Sequence, residues 1–240
     1  MNVDKYEQEY EELLNKWAEG KPDFFRDGAI SSNEWFKQEE VRPLFLLKEA
    51  YKGEKDPEEY DLRKWMDGEK YKDSIKKVQF IVFKKILQWA SIILGETDGK
   101  NTIDKMQEQY VWNNPLFKRI AYVNVKKYEG KSRSNQSDLD NCVKRDGKKL
   151  YDQITLLDPT MIVCGGTIRW LKTILNLDPS IKSKKNKNHP YYVYKTTLNN
   201  HSLYIIDFWH PAYFGKPERS FCEEIANAKH EIARKQKNGL

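Results

Sequence analysis

Cysteine is scarce in this sequence. Cys142, Cys164 and Cys222 are three in number and widely spaced, and no Cys-x-x-Cys pair occurs. An odd, scattered set excludes a disulfide framework and a cysteine-built zinc or iron–sulfur centre, leaving reduced structural thiols. Histidine is nearly as rare, and His189, His201 and His230 lack the paired spacing of metal ligands. No apolar run approaches the ~20 residues that cross a bilayer, and the mean hydropathy is −0.85, which excludes an integral membrane helix protein. A GxGxxG fingerprint is missing, so the Gly165-Gly166 pair is not a dinucleotide site. Internal repeats and low-complexity tails are also lacking. The stretch Met1 to Lys21 is acidic, without the basic-then-apolar order of a secretory signal, and this predicts a cytoplasmic protein.

Charge is present and unevenly spread. Of the net +6, residues 1–60 hold 9 Lys/Arg against 16 Asp/Glu, net −7, which leaves +13 for the remaining 180 residues. Such asymmetry points to a polyanionic partner, although solvated lysines that bind nothing give the same count. A length of 240 residues suits one α/β domain with an extension. The expected division is an N-terminal helical extension over 1–40 and a single domain over 41–240.

Hydrophobic periodicity supplies the elements. Tyr6, Tyr10, Leu13, Leu14 and Trp17 recur at helical spacing among glutamates. Pro43-Leu44-Phe45-Leu46-Leu47 is a continuous apolar run, as in a strand buried on both faces. Residues 120–124, 161–164 and 203–208 read as three more core strands, and 192–196 as an edge strand. Between them lie helical stripes: Val78 to Ile93, Leu139 to Leu157, Ile168 to Leu175, and a final helix over 218–235. Segments 51–74 and 96–118 are long connections that carry Trp65, Tyr71 and Trp112. Strands alternating with helices predict an α/β fold: a three-layer α/β/α sandwich around a mostly parallel four-stranded sheet.

In a parallel sheet the strand ends gather on one edge, where function collects. The first strand ends in Lys48-Glu49-Ala50-Tyr51, the second in Asn124-Val125-Lys126, and the last runs into Trp209-His210-Pro211-Ala212-Tyr213. Glu49, Asn124 and His210 thus converge. A carboxylate positions water or stabilises a developing cation, an amide reads a donor–acceptor edge, and an imidazole stabilises an oxyanion. Together they suit attack at a sugar carbon bearing a base. Taken singly, each has a plainer explanation: a helix-terminal charge for Glu49, an Asx-turn for Asn124, a packed loop residue for His210.

At these positions the chain resembles the uracil-DNA glycosylase superfamily. Glu49-Ala50 matches the Glu-Ala of its first motif, His210-Pro211-Ala212 its His-Pro-Ala motif, and Asn124 its asparagine after the second strand. Pro159 to Gly165 matches its Ile-Val-x-x-Gly strand. The resemblance implies a sheet of that family's kind and a monofunctional DNA glycosylase. In it Glu49 handles the attacking water, His210 donates to the departing base, and Asn124 with Tyr51 binds the flipped base. Basic Lys48, Lys126, Lys216 and Arg219 hold DNA phosphates, and Tyr213 or Phe214 acts as a wedge. For Tyr213 and Phe214, packing on the last helix is an equal alternative. Lys48 and Tyr51 replace the family's motif glycine and proline, which leaves the base undetermined. Members with the Glu-Ala version usually hold a four-cysteine cluster, and three cysteines cannot build one. The expectation is therefore no cofactor and no metal, with DNA as partner, no membrane and no obligate protein partner. The added segments point to a bulky modified base, such as a hypermodified phage cytosine, beside uracil.

Two competing readings remain from the sequence. One is a catalytically silent nucleic-acid-binding module of the same fold. The other is a metal-dependent nuclease using Glu49, Asp207 and His210. A lyase using Lys48 as an amine is disfavoured by the adjacent acid.

Overall fold

A computed structural model describes residues 2–21, 23–49, 60–67, 77–97, 114–128, 130, 134–181, 185–186 and 188–238. Helix α1 (Val3–Ala18) starts at Asn2, whose side chain accepts the Lys5 N–H, and buries Tyr6, Tyr10, Leu14 and Trp17 along one stripe. Two short strands follow, β1 (Phe25–Arg26) and β2 (Gly28–Ala29), then α2 (Ser32–Phe36), capped by Ser31. The run read as the first strand is β3 (Pro43–Glu49), beyond which β4 (Tyr60–Asp61) pairs with β1 in a separate two-stranded ladder. Helices α3 (Leu62–Asp67) and α4 (Lys77–Ile93) and a 3-10 turn (Pro115–Arg119) lead to β5 (Ala121–Lys126). The remainder is α5 (Gln136–Leu157), β6 (Met161–Gly165), α6 (Ile168–Ile174), β7 (Tyr192–Leu198), β8 (His201–Phe208) and α7 (Glu218–Lys237).

The main sheet has six strands in the order β2-β5-β3-β6-β8-β7. The middle four run parallel, and both edges are antiparallel. The expectation of a mostly parallel four-stranded sheet is corrected: the sheet is mixed and six-stranded. At one edge β7 joins β8 through Asn199-Asn200, both at positive φ (46° and 66°), the backbone of a tight hairpin turn whose twist matches the strands. At the other, β2 is only two residues long, too short to show any alternation.

Strand side chains alternate between two cores. Phe45, Leu47, Tyr122, Val163, Ile206 and Phe208 pack with α4 and α7, while Leu44, Leu46, Val123, Ile162, Cys164 and Ile205 pack with α1, α5 and α6. Helices thus cover both faces of the sheet. The three cysteines are buried and reduced. No described helix is long and apolar enough to cross a membrane.

Residues 1–40 are built into this body. Tyr10 of α1 donates to the Asp27 carbonyl (2.8 Å) and takes a hydrogen bond from Gln153 of α5 (2.6 Å). Gly28 lies at φ +143°, and a Cβ there would overlap the Tyr10 hydroxyl. Gly28→Ala is expected to destabilise the protein by about 1–3 kcal/mol through strain and overpacking, measured by urea denaturation.

Candidate active site

The chain leaves β3 toward β5 but leaves β6 toward β8, so its connections diverge between the neighbouring strands β3 and β6. Open α/β sheets bind ligands at such a divergence, beyond the carboxyl ends of the strands. Glu49 ends β3 there, in register with Lys126, the last residue of β5. Its carboxylate is buried, with Oε2 3.7 Å from Lys126 Nζ and Oε1 without a hydrogen-bond partner among the described residues. Lys126 also lies 4.0 Å from Asp138 Oδ2, in the first turn of α5. A buried oxygen lacking a donor is costly, so Oε1 gains from an added donor such as a water.

Asn124 sits two residues before the end of β5, whereas the sequence placed it at the strand end, and it is fully buried. Strand alternation puts it on the same face as Lys126 and Glu49. Its backbone N–H donates to Asp27 Oδ2 (2.8 Å) and its Nδ2 reaches the same oxygen (3.3 Å), while Oδ1 has no partner among the described residues. Asp27 itself is fully buried, between Lys127 Nζ and Gln153 Nε2 (2.9 Å to Oδ1). Lys127 lies over the Trp17 ring, and burial lowers its pKa against the pull of Asp27. Asp27, Lys127 and Gln153 were not singled out in the sequence, and Tyr10 only as part of a helical stripe. The one local signal is the Lys126-Lys127 pair continuing an apolar strand.

Past β8 the chain folds back over the divergence. A Cβ on Gly165 would run into Leu47 Cδ2 and stand 3.3 Å from Pro211 Cδ, so the bare glycine lets the His210-Pro211 turn close on β6. His210 Nδ1 accepts the Ala212 N–H (3.1 Å). In the neutral ring the proton is therefore on Nε2, which is left as a donor. Burial, then the charges of Lys48 and Lys85, push the His210 pKa down to about 4. The folded ring resists the proton that the unfolded chain accepts near 6.5, so the unfolded state binds more protons between about 6.5 and about 4. This contribution to stability is complete above that window and is lost as pH falls through it. It amounts to at most about 3 kcal/mol, less for partial exposure of the ring. Denaturation midpoints followed from pH 7 to 4 are expected to fall more steeply for the wild type than for His210→Asn.

The loop after His210 is anchored from beneath. Lys85 of α4 donates to the Tyr213 carbonyl (2.8 Å) and lies under the Phe214 and Phe221 rings; burial lowers its pKa. Tyr213 stacks on Trp209 at 4.7 Å, while Phe214 projects outward at 64% exposure. Arg219 is exposed and pairs with Glu223 (3.1 Å). Lys216 is bound to Glu224 (2.5 Å) and covers the Trp209 ring, and Lys126 is committed to Glu49, so neither presents a free ammonium to solvent. Lys48 is half-buried beside Gly166. Tyr51, like Ala50, Tyr71 and Trp112, lies outside the described residues.

The structure brings Glu49, Asn124, Lys126, Lys48 and His210 to one edge of the sheet. Asp207, a ligand in the nuclease reading, is buried and paired with Lys185. Among the described residues, no three His, Cys, Asp or Glu side chains are grouped to hold a metal. No protein-family model matches the chain, and no curated protein matches it.

Proposed function

We propose that this chain is a monofunctional DNA glycosylase with a uracil-DNA glycosylase-like α/β/α domain, acting on uracil or a modified base such as a hypermodified cytosine, in repair or phage defence in the cytoplasm. The observation that carries the reading is one edge holding three complementary groups. These are a carboxylate oxygen and, on the same face, an amide oxygen that both lack a partner among the described residues, and a neutral imidazole whose proton is on Nε2. The four parallel strands in the middle of the sheet also support it.

In this reading the target nucleotide leaves the stack, since its glycosidic carbon is unreachable inside a duplex. Phe214 and Tyr213 fill the space it vacates. Glu49 Oε1 accepts a hydrogen bond from a water and orients its lone pair toward C1′. As the C1′–N bond breaks, its electron pair passes to the base, and His210 Nε2–H donates to the oxygen on which the charge collects. Water oxygen bonds to C1′, Glu49 takes the proton, and the products are a free base and an abasic site. Keeping His210 neutral serves this role, because a neutral donor need not lose a proton to solvent at working pH.

The test mixes the protein, in EDTA, with duplex DNA carrying uracil, phage DNA carrying glucosylated hydroxymethylcytosine, and plain DNA, and probes for alkali-labile sites. Abasic sites in either of the first two are expected, with plain DNA spared. Uracil release alone removes the modified-base version. Tight binding with no abasic sites in any DNA replaces the proposal with the silent binding module.

A further inference from the structure

We infer that Lys85 is a positioning residue for His210, which from α4 fixes the turn that decides the ring's tautomer. Its use in catalysis rests on the glycosylase reading. Lys85 is buried, and its Nζ donates to the Tyr213 carbonyl (2.8 Å). The Tyr213 N–H in turn donates to the His210 carbonyl (2.8 Å), which closes a turn over residues 210–213. Within that turn the Ala212 N–H binds His210 Nδ1 (3.1 Å). Three hydrogen bonds thus connect an ammonium on a helix, through the turn, to the imidazole. The last of them decides which ring nitrogen carries the proton.

Packing shapes the rest of the loop. Tyr213 stacks on Trp209 and meets Phe221 edge-on at 6.2 Å, and its hydroxyl occupies the place a Cβ on Gly215 would take. Lys85 Nζ lies 4.7 Å from the centre of the Phe221 ring and 5.2 Å from that of Phe214, so one cation bears on both the turn and the projecting ring. The same charge opposes protonation of His210, behind burial and the charge of Lys48 on β3. Glu218 and Cys222 of α7 and Lys84 of α4 bear on Lys85 in turn. Burial works against the Lys85 charge, and a methionine fills similar space without that cost. What methionine lacks is the donor and the charge, the two properties that act on His210.

The experiment is a histidine NMR titration of the wild type, Lys85→Met and Lys85→Arg, with His210→Asn to assign the ring and thermal melting as the folding control. Single-turnover base release is measured alongside. Lys85→Met is expected to fold, since Glu218 keeps Lys84 at 3.0 Å. In the wild type the neutral ring is expected to carry its proton on Nε2. In Lys85→Met both tautomers are expected, with the titration of His210 moving up from about 4 toward 6.5. Base release is expected to fall as much as about 100-fold, the cost of a small misplacement at a reacting centre. Lys85→Arg, which keeps a charge and a donor, is expected to recover the titration and most of the rate. A purely structural role lowers Tm but leaves the tautomer and titration as in the wild type, which overturns the inference while the glycosylase reading stands. A wild-type ring with its proton on Nδ1 overturns it as well, and that result needs no variant to fold. An altered ring in Lys85→Met, with no base release by the wild type from any DNA, upholds the tie to His210 and overturns the glycosylase reading.

Discussion

Glu49→Gln is expected to lower base release roughly 10²- to 10⁴-fold, the range spanned by removal of a positioned general base, with DNA affinity nearly unchanged. The amide matches the carboxylate in size and its oxygen still accepts a hydrogen bond. What it cannot do is take a proton from water or face the positive charge that builds at the sugar. Lys126, 3.7 Å away, makes the change informative, because with a carboxylate present its ammonium is balanced by Glu49 and more distantly by Asp138. Single-turnover release of the base, with fluorescence anisotropy for binding, separates the two quantities. Full activity in Glu49→Gln rules the residue out of the reaction.

Asp27→Ala is expected to cost about 3–5 kcal/mol of folding stability, the usual result of stranding a buried charge. Lys127 Nζ and the Asn124 N–H lose their carboxylate acceptor at once in a fully buried site, while Gln153 Nε2 keeps the Tyr10 hydroxyl. For a protein of this size that corresponds to a fall of about 6–20 °C in Tm. Removing Lys127 together with Asp27 is expected to recover much of the loss, since no ammonium is then left unpaired. A double-mutant cycle by urea denaturation gives the coupling directly, and a coupling near zero contradicts a functioning ion pair.

The four parallel strands were legible because each is a short continuous apolar run, and their shared direction places Glu49, Asn124 and His210 toward one edge from the sequence alone. What the sequence could not convey was pairing at a distance. Lys126 reads as a phosphate contact because lysine is usually solvated, yet its partner Glu49 lies on another strand. Lys127 finds Asp27 100 residues away. Gly28-Ala29 gives no strand signal, since two residues of strand leave no periodic trace and the demand for glycine at 28 comes from Tyr10, on a different element. Lys216 is a milder case: Glu224, eight residues on and within the first two turns of α7, was within local reach.

The first two helices have mates at the far end of the chain's first two-thirds. Tyr10 meets Gln153, 143 residues later, and Trp35 donates its indole N–H to Leu157, 122 residues later. During synthesis at about 5–20 residues per second, the stripe Tyr6, Tyr10, Leu14 and Trp17 waits roughly 7–30 s for α5 to emerge from the ribosome. Over that interval the stripe has only nearby groups such as Phe24 and Phe36 against it and lacks the α5 side of its cover. Chains stalled before residue 150 should therefore be captured by chaperones and cut readily by protease near the N-terminus, while chains stalled beyond α5 become resistant.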